Sequence, residues 1–325
     1  MPKVAIVLPA LNEELTVETT IRAFSAALPE APIFVINNDS SDKTASIAAD
    51  TLRRLGNSGA VIDEPLHGKG NAVRRAFRDI EADIYVLCDA DNTYPPGRVK
   101  DLIVPILEDR ADMVVGDRHS GGDYRRENDR PLHNFGNRLL QSTINLLFRA
   151  HLIDITSGYR VFSRTFVKNY PILVEGFQIE TDMTLHALDK RFRIMEIPVE
   201  YRNRPPGSVS KLSTVSDGAK VIFAIVQILR YYRPLLFFGL LSIFFVVMGL
   251  ITAKPVMDDW VQFRYIYHVP LAILAAALET VAVMMAVVGL ILDSLIHHQK
   301  MEYERCLLAE PKNSSSCTTF KPDSL

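Results

Sequence analysis

From residue 3 to about 116, short apolar runs alternate with stretches of helical period. "KVAIVLP" is followed by a helical stretch over 14–28, "PIFVINN", a second over 42–55, "GAVIDE", a third over 69–80, "DIYVLCDAD", a fourth over 96–109 and "DMVVGD". This alternation predicts an α/β domain, a mainly parallel sheet with helices on both faces. Ligands of such sheets bind beyond the carboxyl ends of the strands. Those ends are Pro9 to Glu13, Asn37 to Asp42, Glu64 to Gly70, Asp89 to Asp91 and Gly116 to Arg118, so polar groups from five strand ends converge. Next comes "HSGGDYRRENDRPLHNFGNR", a polar, arginine-rich segment that suits a mobile loop near a substrate or a solvated connector. "LLQSTINLLFRAH" then predicts a helix, and "IDITSGYRVFSR" a turn into a strand.

The pattern changes in the last third. Residues 235–253 and 269–292 are apolar runs long enough to cross a bilayer at ~1.5 Å per residue. A pair of buried core helices would give the same run, but 19 residues without a charge favour a membrane hairpin. Glu279 is the exception and should face the partner helix or another subunit. Arg230 and Arg233 precede the first span, and His297, His298 and Lys300 follow the second, which predicts cytoplasmic ends. The connector "KPVMDDWVQFRYIYH" carries Trp260, Phe263, Tyr265 and Tyr267, an aromatic belt on the far side. "DGAKVIFAIVQILRYYRP" predicts an amphipathic helix in the interface plane, or a packed helix of the soluble domain. The expected organisation is a soluble domain over 1–212, a juxtamembrane helix over 213–233, a hairpin over 234–297 and a disordered cytoplasmic tail over 298–325.

Composition adds exclusions. With 48% hydrophobic residues and a net charge of -2 over 325 residues, the chain is globular and no nucleic-acid partner is implied. Cys88, Cys306 and Cys317 form neither a CxxC pair nor an even framework, which fits a reducing compartment. The apolar run at the amino end is too short for a signal sequence and reads as a buried first strand.

Three segments carry candidate chemistry. In "VLCDADNTYPP" the alternation of a strand aims Asp89 and Asp91 the same way where the strand ends. Water in a solvated turn, or a divalent cation such as Mg²⁺ or Mn²⁺, would relieve their repulsion. "PLHGKGNAVRRAF" sets two glycines around Lys69 before a helix, which suits a phosphate cradle of N–H groups and a cation or a plain glycine loop. "EIPVEYRNRPPGSVSKLS" gathers Arg202, Arg204 and Lys211 with Ser208 and Ser210 ahead of the membrane helix, for a lipid phosphate or for anionic lipid.

The segments "VLPALNEE", "NNDSSDKT", "HGKGNAVRRAF", "DADNTYPP", "DITSGYRVF", "GFQIETDMTLHAL" and "RPPGSVSKL" run in one order across about residues 3 to 212, and two membrane spans follow. In this the chain resembles the family 2 glycosyltransferases of GT-A fold. Within that family it is similar to the polyprenyl-phosphate enzymes such as dolichol-phosphate mannose synthase and the bacterial undecaprenyl-phosphate glucosyltransferases.

The resemblance implies residue roles. Pro9, Asn12 and Glu13 would line the nucleotide pocket, Asn37, Asn38 and Asp42 would lie near the base and ribose, and Lys69 would serve the donor phosphates. Asp89 and Asp91 would hold Mg²⁺ or Mn²⁺ on the sugar-nucleotide diphosphate. Asp154 precedes the Ser-Gly-x-Arg turn, near the donor sugar or the acceptor, and Arg118, Arg202, Arg204, Ser210 and Lys211 are the candidates for the lipid phosphate. A phosphate monoester is already anionic, so Asp154, Glu180 or Asp182 would orient groups rather than abstract a proton.

The implied reaction is an inverting, in-line transfer of a hexose from a nucleotide sugar to undecaprenyl or dolichyl phosphate at the cytoplasmic face of a bacterial inner membrane. A UDP-sugar such as UDP-glucose or UDP-GlcNAc is favoured. The alternatives are a GDP-mannose-dependent mannose synthase and an inactive membrane scaffold, and Glu279 hints at a homo-oligomer. Two positions depart from the pattern: Asn37 stands where many relatives have aspartate, and Asn92 and Thr93 stand where some have a glutamine metal contact. A processive polysaccharide synthase would show Gln-x-x-Arg-Trp, but Trp260 is the only tryptophan. A sugar nucleotidyltransferase would open with a glycine-rich loop, and "PALNEE" stands there instead.

Overall fold

A computed structural model describes residues 2–120, 131–176, 178–202 and 217–309, so Arg204, Ser208, Ser210 and Lys211 lie outside the described residues. The chain divides into two compact units, Met1–Val221 and Ile222–Leu325.

The first unit is built on a seven-stranded sheet among the described residues. Its strands are β1 (Val4–Ala10), β2 (Ile33–Asn37), β3 (Val61–Asp63), β4 (Ile84–Leu87), β5 (Met113–Asp117), β6 (Arg160–Ser163) and β7 (Ile194–Pro198), in the order β3-β2-β1-β4-β6-β5-β7. All neighbours pair in parallel except β6, which is antiparallel to both β4 and β5. Along β1, Ile6, Leu8 and Ala10 enter one core cluster and Ala5 and Val7 another, the period-two signature of a sheet covered on both faces.

The covering helices are α1 (Val17–Ala27), α2 (Thr44–Leu55), α3 (Lys69–Asp79), α4 (Val99–Leu107), α5 (Pro131–Phe148), α6 (Arg164–Asn169) and α7 (Ile179–Asp189). In α1 the buried residues Val17, Thr20, Ile21 and Phe24 keep helical spacing, and the three apolar ones join Leu8 in the core. Helix α2 stops at Gly56, whose left-handed φ of 62° lets its N–H reach the carbonyls of Arg53 and Leu52.

The β1 ladder to β2 continues through Ala10, but its ladder to β4 ends at Val7 and Leu87. Pro9 lies beyond that point and has no N–H to give. The carboxyl ends of β1 and β4 therefore part, leaving the crevice in which doubly wound sheets bind ligands. Asn12, Asp39 and Asn92 follow β1, β2 and β4 at this edge with φ of 49°, 57° and 58°. Asn and Asp are the side chains that best tolerate that left-handed backbone.

The second unit holds most of α8 (Asp217–Tyr232), then α9 (Pro234–Phe263) and α10 (Val269–Ala309). The last two are long and apolar enough to cross a membrane. Two expectations are corrected here. The connector is only residues 264–268, because α9 stays helical through Phe263; Asp259 Oδ2 accepts the N–H groups of Tyr267 (2.8 Å) and His268 (3.0 Å) and closes the turn. The expected tail from 298 begins as helix, because α10 runs through Ala309 over a segment without glycine or proline. At ~1.5 Å per residue this helix is about twice as long as a bilayer core is thick. Glu279 lies against α9, where a Cβ on Gly249 would stand 2.5 Å from its Oε1.

Candidate active site

Strand β4 delivers "CDADNTYPP" to the crevice, with Cys88 and Ala90 buried and the two aspartates between and beyond them. The Asp89 side chain is 28% exposed and pairs with the Lys69 ammonium. Asp91 is buried, and its Oδ1 accepts the Thr93 N–H (3.1 Å) and hydroxyl (2.6 Å). Thr93 is thus buried and engaged in orienting Asp91. Two carboxylates supply the hard oxygen donors that Mg²⁺ and Mn²⁺ favour. Among the described residues no group of three His, Cys, Asp or Glu forms a cage. Such a site suits a cation that keeps waters and substrate phosphate oxygens as its remaining ligands.

The glycine loop before α3 differs from a phosphate cradle. The Gly68 N–H donates to Asn38 Oδ1 (2.8 Å) and the Gly70 N–H to the Glu175 carbonyl (2.8 Å), so both serve the protein itself. A Cβ on Gly70 would stand 1.9 Å from the Val174 carbonyl oxygen, and one on Gly68 2.3 Å from that of Glu175. These glycines let the 174–175 segment pass close by. Between them Lys69 reaches across to Asp89 and, at 2.5 Å, to Glu180 Oε1 in the first turn of α7. Burial works to lower the Lys69 pKa, but the two carboxylates outweigh it and hold the ammonium well above its ordinary value. Gly158 completes this contact, since a Cβ there would lie 2.4 Å from Asp89 Oδ2 and 3.1 Å from Lys69 Nζ.

Because β6 is antiparallel, its amino end lies at the carboxyl edge, with Arg160 opposite Leu87. The loop before it, residues 154–159, is thereby brought to the crevice. Asp154 is 1% exposed and takes a forked ion pair from Arg118, Nε to Oδ2 at 2.7 Å and Nη2 to Oδ1 at 2.8 Å, with the Arg118 N–H on Oδ2 at 3.1 Å. Burial pushes the Asp154 carboxyl up, but the guanidinium outweighs it and holds the group below the usual carboxylate range. Arg118 Nη2 also donates to Thr156 Oγ1 (2.9 Å), and its guanidinium lies 5.7 Å from the Tyr201 ring centroid.

Several supports of this loop were not singled out from sequence. Glu196 of β7 accepts the N–H of Asp154 (2.7 Å), and its two oxygens accept that of Ile153 (2.9 and 2.8 Å), while burial raises its pKa. Asn145 and Gln141 of α5 donate to the Leu152 carbonyl at 2.9 and 2.8 Å. The Tyr94 hydroxyl accepts the Gly158 N–H at 3.2 Å. Arg160 donates to the carbonyls of Ser157 (2.9 Å) and Ile155 (2.8 Å). The one signal available was the Ser-Gly-x-Arg turn itself, which contains Arg160.

The other candidates divide. Pro9 lies in β1. Asn12 Oδ1 accepts the Ser41 N–H (2.8 Å), and the Asn12 N–H donates to Ser40 Oγ (3.0 Å), joining the turns after β1 and β2. Glu13 is buried, with its N–H on Thr44 Oγ1 (2.8 Å). Asp42 accepts the Thr44 N–H (2.9 Å) and the Glu14 N–H (3.2 Å). Asn37 donates to Asp63 Oδ1 (2.7 Å). Asn38 is buried and donates to the Leu66 carbonyl (2.6 Å), so it holds the turn after β3 from within. Asp182 is not tied to the aspartate group: it accepts the Tyr170 hydroxyl (2.6 Å), and burial raises its pKa. Arg202 is exposed beside Glu200, and its N–H donates to the Thr93 carbonyl (2.9 Å), tying the segment after β7 to the Asp91 loop.

Against known proteins, the profile described as "Glycosyl transferase family 2" matches residues 5–170, just over half of the chain. Glycosyltransferase AglJ of Haloferax volcanii is 29% identical over 92% of this chain and 96% of its own length. Undecaprenyl-phosphate mannosyltransferase of Micrococcus luteus is 26% identical over 70% of this chain and 93% of its own. Among solved structures, glucosyl-3-phosphoglycerate synthase of Mycobacterium tuberculosis, in complex with Mn²⁺, UDP and phosphoglyceric acid, superposes with a TM-score of 0.52 at 22% identity, over 70% of this chain and 78% of that one. This last likeness is one of fold.

Proposed function

The chain belongs to glycosyl transferase family 2 and is a glycosyltransferase, and from that premise we propose that it moves a hexose from a nucleotide sugar to a polyprenyl phosphate at the cytoplasmic face of a membrane. The observation that carries the reading is the pairing, on one sheet edge, of the half-open Asp89 and Asp91 turn with the Asp154 and Arg118 ion pair. Relatives named for polyprenyl-phosphate sugar transfer support the acceptor. The two apolar helices support a membrane site. Continuity with such a hairpin keeps a soluble catalytic unit beside a water-insoluble lipid.

In this reading the donor enters between the ends of β1 and β4, with Asn12, Asn37 and Asp42 around the nucleoside. Asp89 and Asp91 would hold Mg²⁺ or Mn²⁺, which neutralises charge on the departing diphosphate. Lys69 pairs with both Asp89 and Glu180 and so fixes the two carboxylates relative to each other. The acceptor phosphate is drawn by Arg118 with Arg202, Arg204, Ser210 and Lys211, and attacks the anomeric carbon in line with inversion. Asp154 stays ionised, so it orients Arg118 and the reacting groups and does not serve as a proton store.

A UDP-hexose is the donor we favour. Transfer of mannose from GDP-mannose is the second reading, favoured by the mannosyltransferase relatives. The test is transfer of radiolabel from a panel of UDP- and GDP-sugars to polyprenyl phosphate, with Mn²⁺ or EDTA, by wild type and Asp91→Ala. Label in the lipid phase from one donor, lost with EDTA and with the substitution, is expected. No lipid product from any donor would refute the reading and favour an inactive scaffold.

A further inference from the structure

We propose that Arg160 is a positioning residue that sets the Asp154 loop and the Glu180 helix relative to each other; the inference rests on the site reading above. Arg160 is 0% exposed and, among the described residues, pairs with no carboxylate; its partners are two carbonyls, one hydroxyl and the Met113 sulfur. A buried guanidinium without an ion pair is an expensive way to fill space. What it supplies that a neutral side chain cannot is a planar fork of donors in fixed directions.

The three directions are informative. Nε holds the Ser157 carbonyl (2.9 Å) and Nη2 the Ile155 carbonyl (2.8 Å), so one side chain sets the curve of the loop that starts at Asp154. Nη1 holds Thr184 Oγ1 (2.9 Å), and that hydroxyl donates to the Glu180 carbonyl (2.9 Å). Glu180 in turn grips Lys69, and Lys69 grips Asp89. Polar contacts joined by the short backbone of residues 154–157 and by Glu180 itself thus link the acceptor-side carboxylate to the donor-side aspartate, with Arg160 between them. A lysine has one nitrogen and cannot reach all three acceptors.

The test is steady-state kinetics of Arg160→Lys, Thr184→Val and the double variant, as full chains in detergent with nucleotide sugar and polyprenyl phosphate. In Arg160→Lys, kcat is expected to fall about 10- to 100-fold with both KM values within about threefold, because the binding groups remain and their alignment is lost. Thr184→Val, which keeps shape, should lower kcat by about three- to tenfold, and the double variant should lose no more than Arg160→Lys alone. Wild-type kcat in a folded Arg160→Lys, a loss confined to KM, or effects that multiply in the double variant would each overturn the proposal. If Arg160→Lys does not fold, Thr184→Val decides alone: lower kcat at constant KM supports the proposal and unchanged kcat overturns it. Absence of transfer by the wild type would instead refute the proposed function, and is read before any variant.

Discussion

Replacing Arg118 with methionine removes the guanidinium from Asp154 and keeps most of the side-chain volume. The carboxylate loses contacts of 2.7 and 2.8 Å at a site that is 1% exposed, and keeps the backbone N–H groups of residue 118 at 3.1 Å and of Thr156 at 3.2 Å. Removing one partner of a buried ion pair destabilises by roughly 3–5 kcal/mol. At about 2–4 °C per kcal/mol for a domain of this size, Tm should fall by about 6–20 °C at pH 7. The pH dependence carries the sharper test. In the wild type Asp154 titrates below its ordinary range, so its stabilisation is complete above about pH 4 and is lost only as pH falls through the depressed value. In the variant burial acts with little opposition and lifts the pKa above that of the unfolded chain. The folded state then binds the proton more tightly, and stability returns as pH falls from 7 through the raised value. The Tm gap between the two proteins should narrow from pH 7 to pH 5, by the equivalent of about 1.4 kcal/mol for each unit by which the raised pKa exceeds 5. Circular dichroism melts of both full chains in detergent measure this. A gap below about 2 °C at pH 7, or one that widens toward pH 5, would refute the argument that Arg118 compensates a buried charge.

Gly158→Ala places a methyl group 2.4 Å from Asp89 Oδ2, so Asp89 must turn from Lys69; activity should fall at least about tenfold while Tm moves by only a few degrees, and unchanged kcat would refute the close contact. Gly70→Ala meets the Val174 carbonyl oxygen at 1.9 Å, a backbone atom with no side-chain freedom, and should lower Tm by far more than Gly158→Ala in the same melts. His186 is buried among Tyr170, Phe166 and Phe192, and burial, helped by Lys190, depresses its pKa to about 4. The unfolded chain therefore binds more protons between pH 6.5 and 4, and this residue removes stability as pH falls through that window, up to about 3 kcal/mol. His186→Phe should flatten the fall of Tm over that range relative to wild type, and parallel curves would refute the assignment.

What the sequence determined by itself is local. A period of two in β1 and of 3.6 in α1 follows from which faces must be buried, and both are written in consecutive residues. The same holds for the two long apolar runs, and for the placing of Asp89 and Asp91 two residues apart where an apolar strand ends. The tertiary structure decided whatever depends on pairing between distant segments. Nothing near Asp154 says that β6 will run antiparallel between β4 and β5, yet that register brings the 154–159 loop to the crevice and sets Arg118, Glu196 and Arg160 around it. The glycines beside Lys69 were legible as a need for a bare backbone. Phosphate approach and chain approach require the same missing Cβ, and only the position of residues 174–175 distinguishes them. The helix α10 runs on past the apolar span to Ala309, because a segment of helix formers without glycine or proline continues the helix it inherits. Sequence determines which groups are buried and how each segment coils; three-dimensional packing decides which of those groups face one another, because contact energies between distant residues leave no period in the chain.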